Sequence, residues 1–260
     1  MNPFKIVIPA RFASTRFPGK PLKQLNNKPL IEHVYNAAQR TKADEIIVAT
    51  DNEEILKTVQ SFGGMAIMTK ENHPSGTDRI NEVAAIQGWD ETTLVVNLQG
   101  DEPLVKTEHI HTLVSLLTEN SDADMATLVT PFTKLEDVAN PNNVKVVLDN
   151  NGFALYFSRS PIPWVRDKFS FNMLNNPAGS IPDFPFYSHI GLYAYRVKTL
   201  QHFAKLPPSP LEQAESLEQL RILSNGMKII VGISDNVNGH GVDTPEDLAI
   251  VEAMLKNLNK

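Results

Sequence analysis

The start of the chain reverses the charge of the whole. Residues 1–31 carry six basic side chains, Lys5, Arg11, Arg16, Lys20, Lys23 and Lys28, and no acidic one, in a protein of formal net charge −6. Three of them lie in Ile8-Pro9-Ala10-Arg11-Phe12-Ala13-Ser14-Thr15-Arg16-Phe17-Pro18-Gly19-Lys20-Pro21-Leu22, a loop that follows directly on a short apolar strand. Arg offers a planar fork of donors, Lys a point charge, and a loop at a strand's carboxyl end exposes backbone N–H groups, so this stretch suits a triphosphate. Charge alone equally allows a solvated surface loop. The loop has no G-x-G-x-x-G, and Gly19-Lys20 is followed by Pro21 where a P-loop needs Ser or Thr. A dinucleotide enzyme and an ordinary P-loop NTPase are therefore disfavoured.

Two carboxylates stand in comparable positions. Asp101 follows an apolar run and Gly100, and Asp243 sits in Gly239-His240-Gly241-Val242-Asp243-Thr244-Pro245. Either alone reads as a cap or turn residue. With the basic loop they form the set that magnesium-assisted nucleotidyl transfer requires, because Mg²⁺ is typically held by one or two carboxylates plus phosphate oxygens. His73-Pro74-Ser75-Gly76-Thr77-Asp78-Arg79 joins a strand to a helix, and its local reading is a helix cap supplied by Thr77 or Ser75.

P-A-R-x-x-S-T-R-x-P-G-K-P-L resembles the opening signature of the sugar cytidylyltransferases. Q-G-D-E-P, G-x-D-T-P-E-D-L and H-x-S-G-T-[DE]-R narrow the likeness to the branch acting on 3-deoxy-manno-octulosonate (Kdo), over nearly the whole chain. The resemblance implies CTP and Kdo as substrates, CMP-Kdo and pyrophosphate as products, a role in lipopolysaccharide assembly, and a homodimer. It implies nucleotide contacts from Pro9, Ala10, Arg11, Arg16, Lys20, Ser75, Gly76, Thr77, Gln99 and Gly100. Arg16 and Lys20 would neutralise the β- and γ-phosphates, and Asp101 and Asp243 would hold Mg²⁺. For the acceptor it points to Arg79, Gln99, Arg159, His189, Tyr193, Glu218 and Gln219. The departure from the family pattern is residues 165–187, longer and richer in proline. Rival readings are a cytidylyltransferase for a sialic acid or 8-amino-Kdo, a nucleotide-sugar glycosyltransferase that releases no pyrophosphate, and a catalytically dead nucleotide sensor.

The elements that must position these residues follow from periodicity. Strands are expected at 5–8, 45–50, 65–69 and 94–99, alternating with helices at 29–42, 53–62, 77–87 and 107–119. This alternation predicts an α/β fold, a mostly parallel sheet with helices on both faces, and ligands beyond the strands' carboxyl ends. The basic loop and Gly100-Asp101 should therefore meet. The resemblance specifies a Rossmann-like, glycosyltransferase-A-like nucleotidyltransferase sheet. After a strand at 125–130, residues 144–148 and 153–159 predict a hairpin turning at Asp149-Asn150-Asn151-Gly152, with a strand at 189–195. A helix at 211–225, a strand at 228–234 and a helix from 244 to about 257 complete the chain. One domain, 1–260, is expected, with a smaller β-rich part at about 131–200 for sugar binding and dimer contact.

Composition sets the outer bounds. The chain has 260 residues and 42% hydrophobic content, as a soluble globular protein has. Its negative charge argues against nucleic-acid binding. With no cysteine there is no disulfide or thiolate metal site, which fits a cytoplasmic protein. No signal peptide and no membrane span are expected.

Overall fold

The structure is a computed structural model that describes residues 2–13, 17–170, 180–235 and 240–258. The chain packs as two compact units: Met1–Ser115 with Leu192–Ala204 and Asn238–Lys260, and Leu116–Gly191 with Lys205–Val237.

In the first unit the strand Phe4–Ala10 lies between two parallel neighbours, Glu45–Thr50 on one side and Leu94–Asn97 on the other. Met65–Met68 continues the sheet in parallel beyond Glu45–Thr50, and residues 193–196 run antiparallel to Leu94–Asn97. These strands are apolar runs because both faces are covered; Ile6, Val7, Ile8, Val48, Val95 and Val96 are all buried. The chain proceeds outward from Phe4–Ala10 in one direction, then returns to its other flank with Leu94–Asn97. That reversal is a topological switch point, where such sheets open a crevice beyond their strand ends.

The connecting helices begin and end where local chemistry dictates. Leu30–Gln39 follows Pro29 and buries Leu30, Ile31, Val34, Ala37 and Ala38, the expected apolar face, together with Tyr35. Asn52 caps Glu53–Ser61 by accepting from the N–H groups of Glu54 and Ile55, at 2.9 and 3.1 Å, a contact worth about 1 kcal/mol. Ser75 caps Gly76–Gln87, and Gly88 ends it in the left-handed conformation. Thr107–Glu119 matches its expected bounds. The helix Pro245–Leu258 packs Leu248, Val251 and Leu255 against Leu25, Leu30, Leu104 and Val242. No helix among the described residues is long and apolar enough to cross a membrane.

In the second unit Met125–Pro131 pairs in parallel with Ile229–Ile233, and Lys145–Leu148 pairs antiparallel with Ala154–Ser158 as the expected hairpin. Its turn is held by the Asp149 carboxylate, which accepts from the N–H groups of Asn151 and Phe153, each at 2.8 Å. Gly152 takes φ +83°, which a side chain would oppose. The proline-rich segment is tied down at both ends: Phe169 stacks on Phe186 at 5.3 Å, in a cluster with Leu135, Val138 and Ile181. Residues 171–179 lie outside the described residues.

One predicted helix is interrupted. The single helix predicted at 211–225 is two, Pro210–Glu215 and Gln219–Ser224, broken at Ser216 with φ +52°. The apolar periodicity of 217, 220 and 222 continues across the break, so the pattern hides it. The break leaves Glu215 at a helix end, where its carboxylate accepts from Ser158 Oγ at 2.6 Å and from the Arg159 N–H at 2.8 Å. The short helices Leu135–Ala139 and Val197–Phe203 were not expected.

Candidate active site

A cavity of about 420 Å³ opens in the first unit at the switch point, lined by Pro9, Ala10, Arg11, Ala13, Lys20, Pro21, Gly76, Gln99, Gly100, Asp101 and Asp243. The carboxyl end of the first strand supplies Pro9 to Arg11, and the loop after Leu94–Asn97 supplies Gln99 to Asp101. These stretches meet closely: a Cβ at residue 100 would lie 2.8 Å from the Pro9 carbonyl oxygen, so the approach requires glycine.

The two ends of the basic loop are joined beside the cavity. Gly19 N–H donates to Phe12 O at 3.0 Å, and Gly19 takes the left-handed φ of +67° beside the Phe12 ring. A 3-10 turn, Lys20–Leu22, then aims Lys20 inward. Lys20 Nζ donates to Asp101 Oδ2 at 2.6 Å and to Asp243 Oδ1 at 3.2 Å. Residues separated by 81 and 223 positions thus share one point, with Lys20 the most buried of the three. Val242 N–H also donates to Asp101 O at 2.9 Å, tying the two carboxylate-bearing loops together by backbone.

This geometry fits a divalent cation with oxygen ligands, since two carboxylate oxygens already converge on one positive group. Among the described residues no cluster of three or more His, Cys, Asp or Glu could hold a metal by itself. The protein offers two carboxylates there, the number typical of Mg²⁺ sites completed by substrate phosphates. Behind them Glu102 is half-buried, with its Oε2 shielded from water; desolvation, then the charges of Asp101 and Asp243, push its carboxyl up to about 8, against a smaller opposing effect of Lys20. Its Oε2 has no hydrogen-bond partner among the described residues, and its Oε1 lies 2.8 Å from where a Cβ on Gly241 would be. The raised pKa favours the neutral carboxyl of Glu102, which limits the negative charge beside the pair.

The structure brings Pro9, Ala10, Arg11, Lys20, Gly76, Gln99, Gly100, Asp101 and Asp243 together. Arg16 lies outside the described residues. Of Ser75-Gly76-Thr77 only Gly76 reaches the cavity. Ser75 is engaged as the helix cap, and Thr77 is buried with Oγ1 3.2 Å from Tyr195 Oη. Arg79, expected at the acceptor, is instead fully buried, donating to Asp51 Oδ2 at 2.7 Å and to Thr69 Oγ1. Burial lowers its pKa, against the opposing pull of Asp51. Its positive charge is therefore matched inside the fold. Tyr193 pairs in register with Asn97 and packs on Tyr195, with ring centroids 6.2 Å apart.

The remaining acceptor candidates belong to the second unit. Arg159 Nε donates to Glu215 O at 2.7 Å and Nη1 to Pro141 O at 3.1 Å. Beside it Lys145 is fully buried, donating to Asn140 O and Asn143 O. Burial lowers its pKa to about 8, with Glu215 opposing and Arg159 reinforcing. Glu218 precedes the helix Gln219–Ser224, and Gln219 is buried in its first turn. His189 Nε2 is 2.9 Å from Thr127 Oγ1, whose own proton is directed to Ile190 O, and its ring meets Phe157 edge-on.

Burial pushes the His189 pKa down to about 3, so the folded protein keeps this ring neutral where the unfolded chain would protonate it. Its contribution to stability is present above about pH 6.5 and lost as pH falls toward 3. Relative to His189→Gln, the parent should lose up to about 1.4 kcal/mol per pH unit through that window. Urea midpoints measured from pH 7 to pH 4 check this; parallel profiles would remove His189 as the cause.

Sequence reasoning did not single out Glu102 or Asp247. Glu102 lay within Q-G-D-E-P, but only packing shows that its Oε2 is shielded from water. Asp247, three residues after Thr244, carried the spacing of a capping box.

The chain matches a family model described as "Cytidylyltransferase" over residues 5–229. It is 52% identical over 255 residues to the 3-deoxy-manno-octulosonate cytidylyltransferase of Thermodesulfovibrio yellowstonii, covering 96% of each chain. It is similar to a solved CMP:2-keto-3-deoxy-manno-octonic acid synthetase complexed with CTP, with TM-score 0.86 and 40% identity over 98% of this chain and 99% of that one. A cytidylyltransferase from Leptospira borgpetersenii shares the fold, with TM-score 0.62 and 15% identity over 98% and 88% of the two chains. A basic loop facing two carboxylates at the switch point of a parallel sheet, matched along nearly the whole chain, makes this protein a member of the cytidylyltransferase family.

Proposed function

We propose that the protein transfers CMP from CTP to Kdo, with release of pyrophosphate, for lipopolysaccharide biosynthesis. The observation that carries the chemistry is the convergence of Asp101 and Asp243 on Lys20 Nζ in a cavity walled by Arg11 and the Gly100 backbone. The choice of Kdo and CTP rests on the likeness to the Thermodesulfovibrio enzyme and to the CTP-complexed synthetase.

In this reading the anomeric hydroxyl of Kdo gives up its proton and attacks the α-phosphorus in line, a new P–O bond forms, and the bond to pyrophosphate breaks on the opposite side. Phosphoryl-type transfer asks the protein mainly for positioning and charge stabilisation. Asp101 and Asp243 are the residues that would hold Mg²⁺. When bound, Mg²⁺ supplies Lewis-acid polarisation of the α-phosphate and a lowered pKa for the attacking hydroxyl. Lys20, with Arg16 in the same loop, neutralises the β- and γ-phosphates. Backbone groups at Ala10 and Gly76, with Arg11, line the nucleoside side, and Gln99 faces the acceptor. Arg159, His189, Tyr193, Glu218 and Gln219 remain the residues for the sugar acid; His189, being neutral, would serve as a hydrogen-bond partner and leave the opposing charge to Arg159. Arg79 drops out.

Incubation with CTP and Mg²⁺, offering Kdo, 8-amino-Kdo and a sialic acid in turn, tests the reading through pyrophosphate and the CMP-sugar. Kdo should give both products; a preference for another acid, or no pyrophosphate, would replace it. Lys20→Ala should weaken CTP binding about 10- to 100-fold, the worth of one charge-assisted contact. Calorimetric titration with CTP measures this, and unchanged affinity would remove Lys20 from the cradle.

We place the enzyme in the cytoplasm, where a chain without cysteine is at home. A homodimer joined at the hairpin of the second unit is supported by exposed Leu155, Phe184 and Ile233 around it. Sedimentation of the parent and of Leu155→Glu distinguishes a dimer broken by charge from a monomer in both.

A further inference from the structure

We infer that Asp247 is a positioning residue for Asp243, fixing the backbone that presents this carboxylate to the cation. The inference rests on the reading of Asp243 as a metal-holding residue.

Asp247 takes part in a capping box at the start of Pro245–Leu258. Its N–H donates to Thr244 Oγ1 at 3.2 Å, and its Oδ2 accepts from Thr244 N–H at 2.9 Å. A helix start needs no more than this reciprocal pair. The Asp247 carboxylate does more. Oδ2 also accepts from Thr244 Oγ1 at 3.0 Å and from the N–H of Asp243 itself at 3.0 Å, and Oδ1 faces His240 Nε2 at 2.5 Å. Asp243 and His240 are not helix residues, so capping does not account for these two contacts. Their effect is to gather 240, 243 and 244 around one side chain that the helix holds in place.

The remaining side of the loop is fixed independently. Val242 is buried among Leu25, Leu30 and Val251, and its N–H donates to Asp101 O. Asp243 is therefore gripped from both flanks, by a backbone bond toward the other carboxylate and by the Asp247 side chain from the helix. A carboxylate that must share a small cation with Asp101 gains from such restraint, because metal affinity depends on ligands being held before the ion arrives.

The test is direct binding of Mn²⁺, as a paramagnetic stand-in for Mg²⁺, followed by electron paramagnetic resonance in the presence of CTP and the absence of Kdo. Asp247→Ala should weaken Mn²⁺ binding about 10-fold or more, the usual effect of losing a group that orients a ligand. Asp247→Asn, which keeps one oxygen for the three donors at Oδ2, should restore most of it. Thr244→Ala removes the capping hydroxyl but leaves the Asp243 contact, so it should lower the unfolding temperature while Mn²⁺ affinity holds. Asp243→Asn separates the two layers of the reading. If it binds Mn²⁺ as the parent does, the metal site itself is misplaced; if it is impaired while folded Asp247→Ala is not, only the role of Asp247 is overturned. Should Asp247→Ala fail to fold, His240→Ala removes one tether and no cap. A weakening smaller than that of losing the whole carboxylate is then expected, and parent affinity would overturn the inference.

Discussion

Asp101→Asn should reduce CMP transfer by roughly three orders of magnitude while leaving the fold as stable as the parent. The substitution preserves shape and one oxygen but deletes the charge that Lys20 Nζ meets at 2.6 Å. Asp243 alone would then face the phosphates with Lys20 and Arg11, and the cation would lose one of its two protein carboxylates. A Lewis acid contributes several kcal/mol of transition-state stabilisation, and about 4 kcal/mol corresponds to about a thousandfold in rate. Stability should not suffer, because the Asp101 charge raises the Glu102 pKa and its neutralisation relieves that strain. Single-turnover rates at saturating CTP, with a Mg²⁺ titration and a melting curve, check all three parts. A rate within tenfold of the parent would take Asp101 out of the metal site.

Arg79→Ala should have the largest effect on stability, about 3–5 kcal/mol and a fall in melting temperature on the order of 10 °C. Arg79 comes from the helix Gly76–Gln87 and lies beneath the ends of two strands, where Asp51 and Thr69 receive its guanidinium. Asp51 has little access to water, so removing the arginine leaves a carboxylate poorly solvated and without this partner. Replacing both groups, as in Arg79→Met with Asp51→Asn, should recover much of the loss, since no orphaned charge remains. The opposite pattern, an unchanged melting temperature with a raised KM for Kdo, would return Arg79 to the acceptor site.

Arg79 also shows where sequence reading reaches its end. An arginine in a loop-to-helix segment is a reasonable partner for a sugar acid until its surroundings are known. Whether its charge is offered to a ligand depends on Asp51, 28 residues earlier, and on a helix lying over that strand end. Ser75 and Thr77 divide in the same way: the cap is a local matter, but the burial of Thr77 against Tyr195 involves a strand 118 residues away. The helix break at Ser216 escaped because apolar spacing persists through it, and its purpose, bringing Glu215 to Ser158 and Arg159, is a tertiary contact.

What the sequence determined by itself was whatever depends on neighbours along the chain. Strand and helix periods, the caps at Asn52 and Ser75, the stop at Gly88 and the hairpin turn at Asp149 are short-range consequences of side-chain chemistry. So is the alternation that predicted a parallel sheet and the meeting of the basic loop with Gly100-Asp101. The tertiary structure decided which charges face each other. Lys20, Asp101 and Asp243 meet because the strand order reverses beside Phe4–Ala10 and Gly100 permits backbone contact there, while Val242 binds the third segment to the second. Coulomb energy depends on distance and on exclusion of water, and neither is a property of position along a chain. For that reason the raised pKa of Glu102, the lowered pKa of His189 and the matched charge of Arg79 became visible only in the folded protein.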